Sequence, residues 1–332
     1  TKFPDRRLYL VGEIIHNPHV NRKLKDMGIR FLDRGADGEF DFSPILADDA
    51  VILPAFGVTI GDFERLRSIG CVLVDTTCGS VLNVWKRVES YARDGFTAVI
   101  HGKHYHEETK ATASQVMKYP DGRYLVVLNM DEARLVCDFI EGRSGAAALE
   151  ERFRRAVSPG FSFERDLVRV GIANQTTMLS GESLAIAEVI RKSVALRYGD
   201  AAVAEHFRSF DTICSATQER QDAVLALLEE PLDVMVVVGG YNSSNTCHLA
   251  ALVQSRGLRV YHIEDADAID PTAGALRHQP IGSKQEAVVH DWLGAARTIG
   301  ITAGASTPNN KVGETIDRIC ATAGVALEVP GA

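Results

Sequence analysis

Two cysteines in this chain stand where a short apolar run gives way to helical spacing, and both could ligate a metal. Cys78 lies in DTTCGS and Cys214 lies in DTICSA, so the pattern Asp-Thr-x-Cys followed by two small residues occurs twice. At the start of a helix, the positive end of the helix dipole favours the thiolate form that binds metals. The alternative is two small residues at ordinary strand–helix turns. The repeated pattern favours metal ligation.

A second polar segment, HGKHYHEET, concentrates three histidines and two glutamates at residues 101–109. Imidazole and carboxylate groups at this density indicate zinc binding, anion binding or proton transfer. The histidine spacing is not a standard zinc pattern, and solvated loop histidines are an equal alternative. His16 and His19 in EIIHNPHV leave the same choice open.

Two further segments are rich in hydroxyl and amide side chains. NSSN at residues 242–245 follows an apolar run and opens a helical pattern, and TAGASTP at residues 302–308 repeats this design. Backbone N–H groups at a helix N-terminus, together with such side chains, form a site suited to phosphate. The alternative is ordinary N-capping, by Ser306 or Thr307 before Pro308 in the second case. Two such segments favour a phosphate or diphosphate ligand.

The remaining cysteines and the absent motifs narrow the chemistry. The sequence has no P-loop or dinucleotide-binding glycine pattern after a strand, and no G-x-S-x-G elbow of serine hydrolases. The other four cysteines fit the role of small buried hydrophobes. They are Cys71, Cys137, Cys247 and Cys320.

These polar segments need a scaffold, and the apolar runs supply it. Nine continuous runs of Val, Ile and Leu, such as AVILPAFG and DVMVVVGG, alternate with helical spacing, as in SVLNVWKRVESYARDG. Continuous apolarity is typical of strands buried on both faces, and the alternation predicts an α/β fold with parallel sheets. Ligands of such sheets bind beyond the carboxyl ends of the strands, which is where the polar segments lie.

Composition excludes several classes of protein. A net charge of −8 without a basic run argues against nucleic acid as a partner. No apolar window is long enough for a membrane span, and the opening residues are no signal peptide, so we expect a soluble protein without a membrane partner. Six scattered cysteines indicate a reducing compartment such as the cytoplasm.

Taken together, EIIHNPHV, DTTC, HGKHYHEET, ANQTTML, TICSATQERQDA, GGYNSSNTCHL and TAGASTP resemble, in order and spacing, the 4-hydroxy-3-methylbut-2-enyl diphosphate reductase family. The resemblance spans nearly the whole chain and is strongest to the plant and cyanobacterial type. It implies three α/β domains in a pseudo-threefold trefoil around a central [4Fe-4S] cluster. We expect these domains at residues 1–77, 78–212 and 213–332.

The resemblance also implies roles for individual residues. Cys78 and Cys214 are the expected cluster ligands, since such clusters are held by thiolates. The family's first cluster cysteine lies well upstream of the histidine loop and corresponds to no residue here, so we expect an N-terminally incomplete sequence. Glu108 is the expected proton source, with Thr176 as its partner. The expected diphosphate-binding residues are His16, His106, Ser243, Ser244, Asn245 and Ser306.

The implied reaction removes a hydroxyl group reductively, yielding isopentenyl and dimethylallyl diphosphate in the last step of the non-mevalonate isoprenoid pathway. Ferredoxin or flavodoxin is the expected electron donor. Phe56 stands where many bacterial members have histidine, so one diphosphate contact is expected to be absent or replaced. Two alternatives stay open, a zinc-dependent hydrolase using His101, His104, His106 and Glu108, and a non-catalytic protein that binds a phosphometabolite or an iron–sulfur cluster.

Overall fold

Three parallel β-sheets form the framework of the computed structural model, which describes residues 3, 5–36, 38–210 and 212–326. Asp211, the first residue of the second cysteine motif, lies outside the described residues. The chain divides into two units. The first comprises Thr1–Ile14 and Lys23–Cys214, and the second comprises Ile15–Arg22 and Ser215–Ala332.

The first unit contains two parallel sheets of four strands each, and the first of them has the order β2-β1-β3-β4. Helix α2 shows why its boundaries fall where they do. The Thr59 hydroxyl accepts the N–H of Asp62 at the start of the helix, and Gly70 ends it with a left-handed φ of 82°. The elements of this part are β1 (Leu8–Val11), α1 (Pro18–Asp26), β2 (Arg30–Leu32), β3 (Ala50–Leu53), α2 (Ile60–Ile69) and β4 (Val72–Asp75).

The second sheet of this unit has the order β6-β5-β7-β8, with all pairs parallel. Its strands are β5 (Thr97–His101), β6 (Tyr124–Val127), β7 (Val170–Asn174) and β8 (Phe207–Ser209). The helices are α3 (Gly79–Arg93), α4 (Glu107–Val116), α5 (Met130–Ile140), α6 (Ala146–Phe153), α7 (Phe163–Asp166), α8 (Ser180–Tyr198) and α9 (Val203–His206), with a short 3₁₀ turn at Asp200–Ala202.

The second unit contains a three-stranded parallel sheet of order β10-β9-β14 and a small antiparallel sheet of order β11-β12-β13. Its elements are α10 (Ser215–Leu227), β9 (Val234–Val238), α11 (Ser244–Ser255), β10 (Val260–Ile263), a 3₁₀ turn (Ala266–Ala268), β11 (Ile269–Asp270), β12 (Ala275–His278), β13 (Ala287–His290), β14 (Ile299–Ala303) and α12 (Asn309–Ala323).

The predicted α/β class with parallel sheets is confirmed. All nine predicted apolar runs contain strands, and every residue of the central strands β5, β7 and β9 is buried. Burial on both faces explains why these runs are apolar without alternation. The domain ranges 1–77, 78–212 and 213–332 stay predictions, and each contains one of the three parallel sheets.

No helix within the described residues is long and apolar enough to cross a membrane. Within residues 142–160, helix α6 buries Leu149 and Phe153. Two short edge strands, β2 and β8, and the antiparallel sheet were not predicted, because their few residues lack a continuous apolar run.

Candidate active site

Both candidate cluster cysteines begin a helix, as the sequence predicts. Cys78 is the N-cap of α3, and its exposed side chain makes no capping hydrogen bond. Its backbone N–H donates to the Ala55 carbonyl at 2.8 Å. Cys214 directly precedes α10, is half-buried, and donates its N–H to the Thr176 carbonyl at 3.3 Å.

The two consecutive glutamates of the histidine loop have different surroundings. Glu107 is half-exposed and pairs with the guanidinium of Arg34 and, at 3.6 Å, with Lys110. Glu108 is buried and faces Thr176, whose N–H donates to Oε1 at 2.6 Å and whose hydroxyl donates to Oε2 at 3.0 Å. Glu108 is therefore the carboxylate that the fold holds away from solvent.

His106 lies between Glu108 and Phe56, the residue next to Ala55, whose carbonyl accepts the Cys78 N–H. It is the N-cap of α4, and its Nδ1 accepts the Glu108 N–H at 3.2 Å. In the neutral ring this places the proton on Nε2, which makes Nε2 a donor for an anion. The ring of Phe56 lies edge-on to His106, with centroids 6.3 Å apart. Phe56 thus supports His106 by packing.

A continuous path therefore joins the two cysteines within the first unit. Cys78 contacts Ala55 through its backbone N–H, and the adjacent Phe56 packs on His106. The Glu108 N–H donates to the Nδ1 of His106, and the Glu108 carboxylate accepts both hydrogen bonds from Thr176. The Thr176 carbonyl accepts the N–H of Cys214. Glu108, Thr176 and the backbones of both cysteines thus belong to one series of contacts.

The other histidines of the loop do not join a metal site. His101 is fully buried at the end of β5, where its Nδ1 lies 2.8 Å from the Ser183 hydroxyl. His104 is exposed and packs edge-on against Tyr105. Among the described residues, no group of three or more His, Cys, Asp or Glu side chains is placed to hold a metal ion. Within this part of the chain, the four residues of the zinc alternative are thus not grouped around a common metal position.

Gln175 is a residue of this network whose role the sequence did not reveal. Its Oε1 accepts the Lys103 N–H at 3.1 Å and the Thr109 hydroxyl at 3.2 Å, while its Nε2 donates to Thr177 at 2.8 Å. The side chain is buried and cross-links the histidine loop to the turn after β7. Only its position at a strand end could have suggested this.

In the second unit, the NSSN segment forms the start of α11. Ser243 is the N-cap, and its hydroxyl accepts the Thr246 N–H at 3.4 Å. The Asn245 Oδ1 accepts the Ala305 N–H at 2.9 Å, which orients the amide. Its Nδ2 is buried and has no hydrogen-bond partner within the described part of the chain. Because an unsatisfied buried donor is costly, this group indicates a ligand that accepts from it.

The TAGASTP segment places a second buried donor in this unit. The Ser306 Oγ is buried and has no hydrogen-bond partner among the residues that the structure describes. The alternative that Ser306 or Thr307 caps α12 is wrong, because Pro308 is the N-cap and no side chain caps the helix. The Thr307 hydroxyl instead donates to the Val238 carbonyl at 3.1 Å. The Ser306 hydroxyl therefore does not cap the helix and is placed to bind a ligand.

His16 lies in the same unit as these two segments. Its neighbour Asn17 donates from Nδ2 to the Ser306 carbonyl at 2.8 Å. A Cβ placed on Gly240 would lie 2.7 Å from the His16 carbonyl oxygen, so the backbones of these two segments are in close contact. Five of the six predicted diphosphate residues, namely His16, Ser243, Ser244, Asn245 and Ser306, lie in this unit, whereas His106 lies in the first.

A protein-family model described as LytB protein matches residues 1–320. Two similar proteins are named 4-hydroxy-3-methylbut-2-enyl diphosphate reductase. The protein of Thermosynechococcus vestitus is 48% identical, over 98% of this chain and 79% of that protein. The protein of Gloeobacter violaceus is 50% identical, over 97% of this chain and 77% of that protein. The chain belongs to the LytB family.

Solved structures agree with the LytB assignment. A structure of (E)-4-hydroxy-3-methyl-but-2-enyl diphosphate reductase, described as the terminal enzyme of the non-mevalonate pathway, is 26% identical with a TM-score of 0.54. It covers 96% of this chain and 89% of that one. A reductase structure from Plasmodium falciparum is 19% identical with a TM-score of 0.69, covers 96% of this chain and 80% of that one, and shows the fold alone.

The cysteines of this LytB chain fit the chemistry of an iron–sulfur cluster. Cys78 and Cys214 present free thiols at helix starts, and thiols are the side chains that hold such clusters. Cys71 and Cys137 are buried, and burial raises the pKa of both thiols, as expected for structural cysteines. Cys247 and Cys320 are half-buried, so the expectation of full burial is wrong for these two.

Proposed function

We propose that this LytB chain reduces (E)-4-hydroxy-3-methylbut-2-enyl diphosphate to isopentenyl and dimethylallyl diphosphate, the last step of the non-mevalonate isoprenoid pathway. The observation that carries the proposal is the buried pair of Glu108 and Thr176 in one network with Cys78 and Cys214. Substrate, two electrons and two protons give product and water, so the reaction needs an electron carrier and a proton donor.

The chain's own residues bind the substrate and supply a proton. His16, Ser243, Ser244, Asn245 and Ser306 are the proposed diphosphate-binding residues of the second unit, and His106, with its Nε2–H, is the one proposed in the first unit. The Glu108 carboxyl group protonates the leaving hydroxyl, because hydroxide is a poor leaving group. The Thr176 hydroxyl can donate to the carboxylate or accept from the carboxylic acid, so it suits both protonation states of Glu108.

A [4Fe-4S] cluster held by Cys78, Cys214 and one further thiolate would supply the electrons and a Lewis-acidic iron. The trefoil of three domains around that cluster, at the boundaries given above, is part of the proposal. Ferredoxin or flavodoxin is the proposed electron donor. The proposed location is the cytoplasm, or the plastid stroma in a plant or alga.

Two alternatives are less well supported. The zinc hydrolase would use His101, which is instead buried against Ser183. A non-catalytic binding protein would not need a buried carboxylate with two donors on it, because burying such a group is costly. Glu108 is 3% exposed, so its placement has to serve a function that diphosphate binding alone does not explain.

The test is anaerobic purification of this chain, both as given and in a longer version joined at its N-terminus to a cysteine-containing segment of a similar LytB protein. Iron and sulfide content, visible absorption and turnover of the hydroxylated diphosphate with a reduced donor are measured. We expect the longer protein to be brown and active, Cys78→Ser to lose the cluster, and Cys320→Ser to keep it. A longer protein without a cluster, or with one that leaves the substrate unchanged, would contradict the proposal.

A further inference from the structure

A buried histidine holds the backbone at the start of the NSSN loop, which we define as residues 239–245. His262 lies on β10 and is 4% exposed. Its Nε2 lies 2.9 Å from the Gly239 carbonyl oxygen. Because a carbonyl can only accept, Nε2 carries the proton and donates. The bond therefore joins the middle of β10 to the residue that directly follows β9.

This bond fixes the orientation of one peptide plane. In a trans peptide, the N–H points away from the carbonyl oxygen, so holding the Gly239 carbonyl also directs the Gly240 N–H. Gly239 has a φ of 146°, and a Cβ there would lie 2.7 Å from the hydroxyl oxygens of Thr246 and Thr307. Glycine can adopt this conformation but does not require it, so a hydrogen bond from outside the loop, such as that of His262, is needed to fix it.

The next loop residue, Tyr241, is held from three directions. Its ring lies edge-on to His262, with centroids 5.0 Å apart. Its hydroxyl donates to Glu286 Oε1 at 3.0 Å, and its carbonyl accepts the Cys247 thiol at 3.1 Å. The Ser243 N–H then closes the turn on the Gly240 carbonyl at 2.9 Å. The loop thus reaches Ser243 through a sequence of fixed contacts that begins at His262.

We propose that His262 is a positioning residue for the diphosphate: its Nε2–H bond to Gly239 orients the backbone that presents Ser243, Ser244 and Asn245. This inference rests on the proposed function, because it assumes that the NSSN loop binds the diphosphate. Burial also lowers the pKa of His262 to about 4, so the ring stays neutral at physiological pH. A merely structural histidine would fill the same volume without needing a donor at Nε2.

Three substitutions separate positioning from packing. In His262→Leu the volume is retained and the donor is lost. In His262→Gln an amide N–H stands near the position of Nε2. His278→Leu is the matched control. His278 is a partly buried histidine, and burial lowers its pKa as it does that of His262. Its ring packs edge-on against Tyr261, which lies next to His262 on β10.

The measurement is calorimetric binding of inorganic pyrophosphate to the whole chain, beside thermal unfolding of each variant. Partners that orient ligand groups typically change metal affinity by about 10- to 100-fold, and we expect about tenfold weaker binding for His262→Leu. We expect affinities within about twofold of the unsubstituted chain for His262→Gln and His278→Leu. If His262→Leu does not fold, His262→Asn replaces it, since its shorter amide does not reach Gly239.

Ser306→Ala separates a failure of the inference from a failure of the proposed function. If Ser306→Ala weakens pyrophosphate binding and the donor-deficient His262 variant does not, the positioning role is overturned and the diphosphate site stands. Equal losses in His262→Gln and His262→Leu would likewise overturn it. If the unsubstituted chain binds no pyrophosphate, both the diphosphate site and the role of His262 are overturned.

Discussion

Thr176 donates two hydrogen bonds to the carboxylate of Glu108, one from its backbone N–H to Oε1 at 2.6 Å and one from its hydroxyl to Oε2 at 3.0 Å. Glu108 lies at the start of α4 and Thr176 lies in the turn after β7, so two neighbouring strand ends of one sheet hold the pair. The carboxyl group thus has a fixed position before any substrate arrives.

Glu108→Gln is expected to retain ligand binding and lose turnover. The amide has the same shape and its oxygen still accepts the Thr176 N–H, but it cannot deliver a proton. We expect turnover of the cluster-loaded protein to fall about 100-fold or more, with unchanged pyrophosphate affinity. Glu107→Gln is the control, since that side chain faces Arg34 and not Thr176. Equal turnover in the two variants would remove Glu108 from the mechanism.

Replacing Thr176 tests the hydroxyl separately from the backbone. Thr176→Val keeps the N–H bond to Glu108 and the side-chain shape, whereas Thr176→Ser keeps the hydroxyl. Since hydrogen bonds to charged groups contribute about 1.5–3 kcal/mol, we expect turnover to fall about tenfold or more in the valine variant and little in the serine variant. Similar rates for the two variants would show that only the backbone N–H matters.

Ser306→Ala is expected to affect ligand binding and stability differently. The Ser306 Oγ is buried without a partner in the described part of the chain, so its removal should leave the melting temperature unchanged or raise it. Loss of a charge-assisted hydrogen bond should weaken pyrophosphate binding by about tenfold or more.

Thr307→Val, in the adjacent residue, is expected to lower stability and leave pyrophosphate binding largely unchanged. The Thr307 hydroxyl donates to Val238, so its loss should reduce the free energy of unfolding by about 1 kcal/mol. Pyrophosphate affinity should change little in comparison. If Ser306→Ala lowers stability as Thr307→Val does, the serine hydroxyl has a structural role instead.

Gly304→Ala is expected to destabilise the second unit. A Cβ at this position would lie 2.0 Å from the Thr246 hydroxyl oxygen, at the first turn of α11. Overpacking of this kind costs about 1–3 kcal/mol, measurable by denaturant unfolding. Gly313→Ala in α12 is the control, because no atom lies within 4 Å of its added Cβ and alanine favours the helix. Adding Thr246→Ala to Gly304→Ala should recover part of the loss.

The ion pair of Arg7 and Asp49 predicts an acid-dependent loss of stability. Both guanidinium bonds are 2.7 Å long, and they hold the pKa of the buried Asp49 below its usual range. A lowered folded-state pKa means that this stabilisation is complete above the unfolded pKa of about 3.9 and is lost as pH falls through the folded value. Asp49→Asn should therefore melt lower than the unsubstituted chain at pH 7, and the difference should shrink in acid.

The parallel strands could be predicted because burial on both faces leaves a continuous apolar run, as in Val234–Val238. The antiparallel strands could not, since Ala287–His290 alternates between half-buried and exposed residues over only four positions. Within the site, the sequence alone could not show that Glu108 is buried whereas Glu107 forms an ion pair at the surface. That difference depends on Arg34, which lies 73 residues from Glu107 in the sequence.

The supporting residues were hidden for the same reason. Gln175 reaches Lys103 across 72 residues, and His262 reaches Gly239 across 23. Neither residue type suggests by itself that it orients a neighbouring loop. The resemblance supplied the residues expected to touch the substrate, and the three-dimensional contacts supplied those that hold them in position.

The hydrogen bond from Asn17 to Ser306 connects residues 289 positions apart. Contacts of such separation form slowly, because a long chain segment must be closed before they stabilise anything. During synthesis, the segment Ile15–Arg22 is made long before Ser215–Ala332, the rest of its unit. A fragment that begins at Ser215 would accordingly lack Ile15–Arg22 and, with it, the contact of Asn17 to Ser306, although both residues belong to one unit.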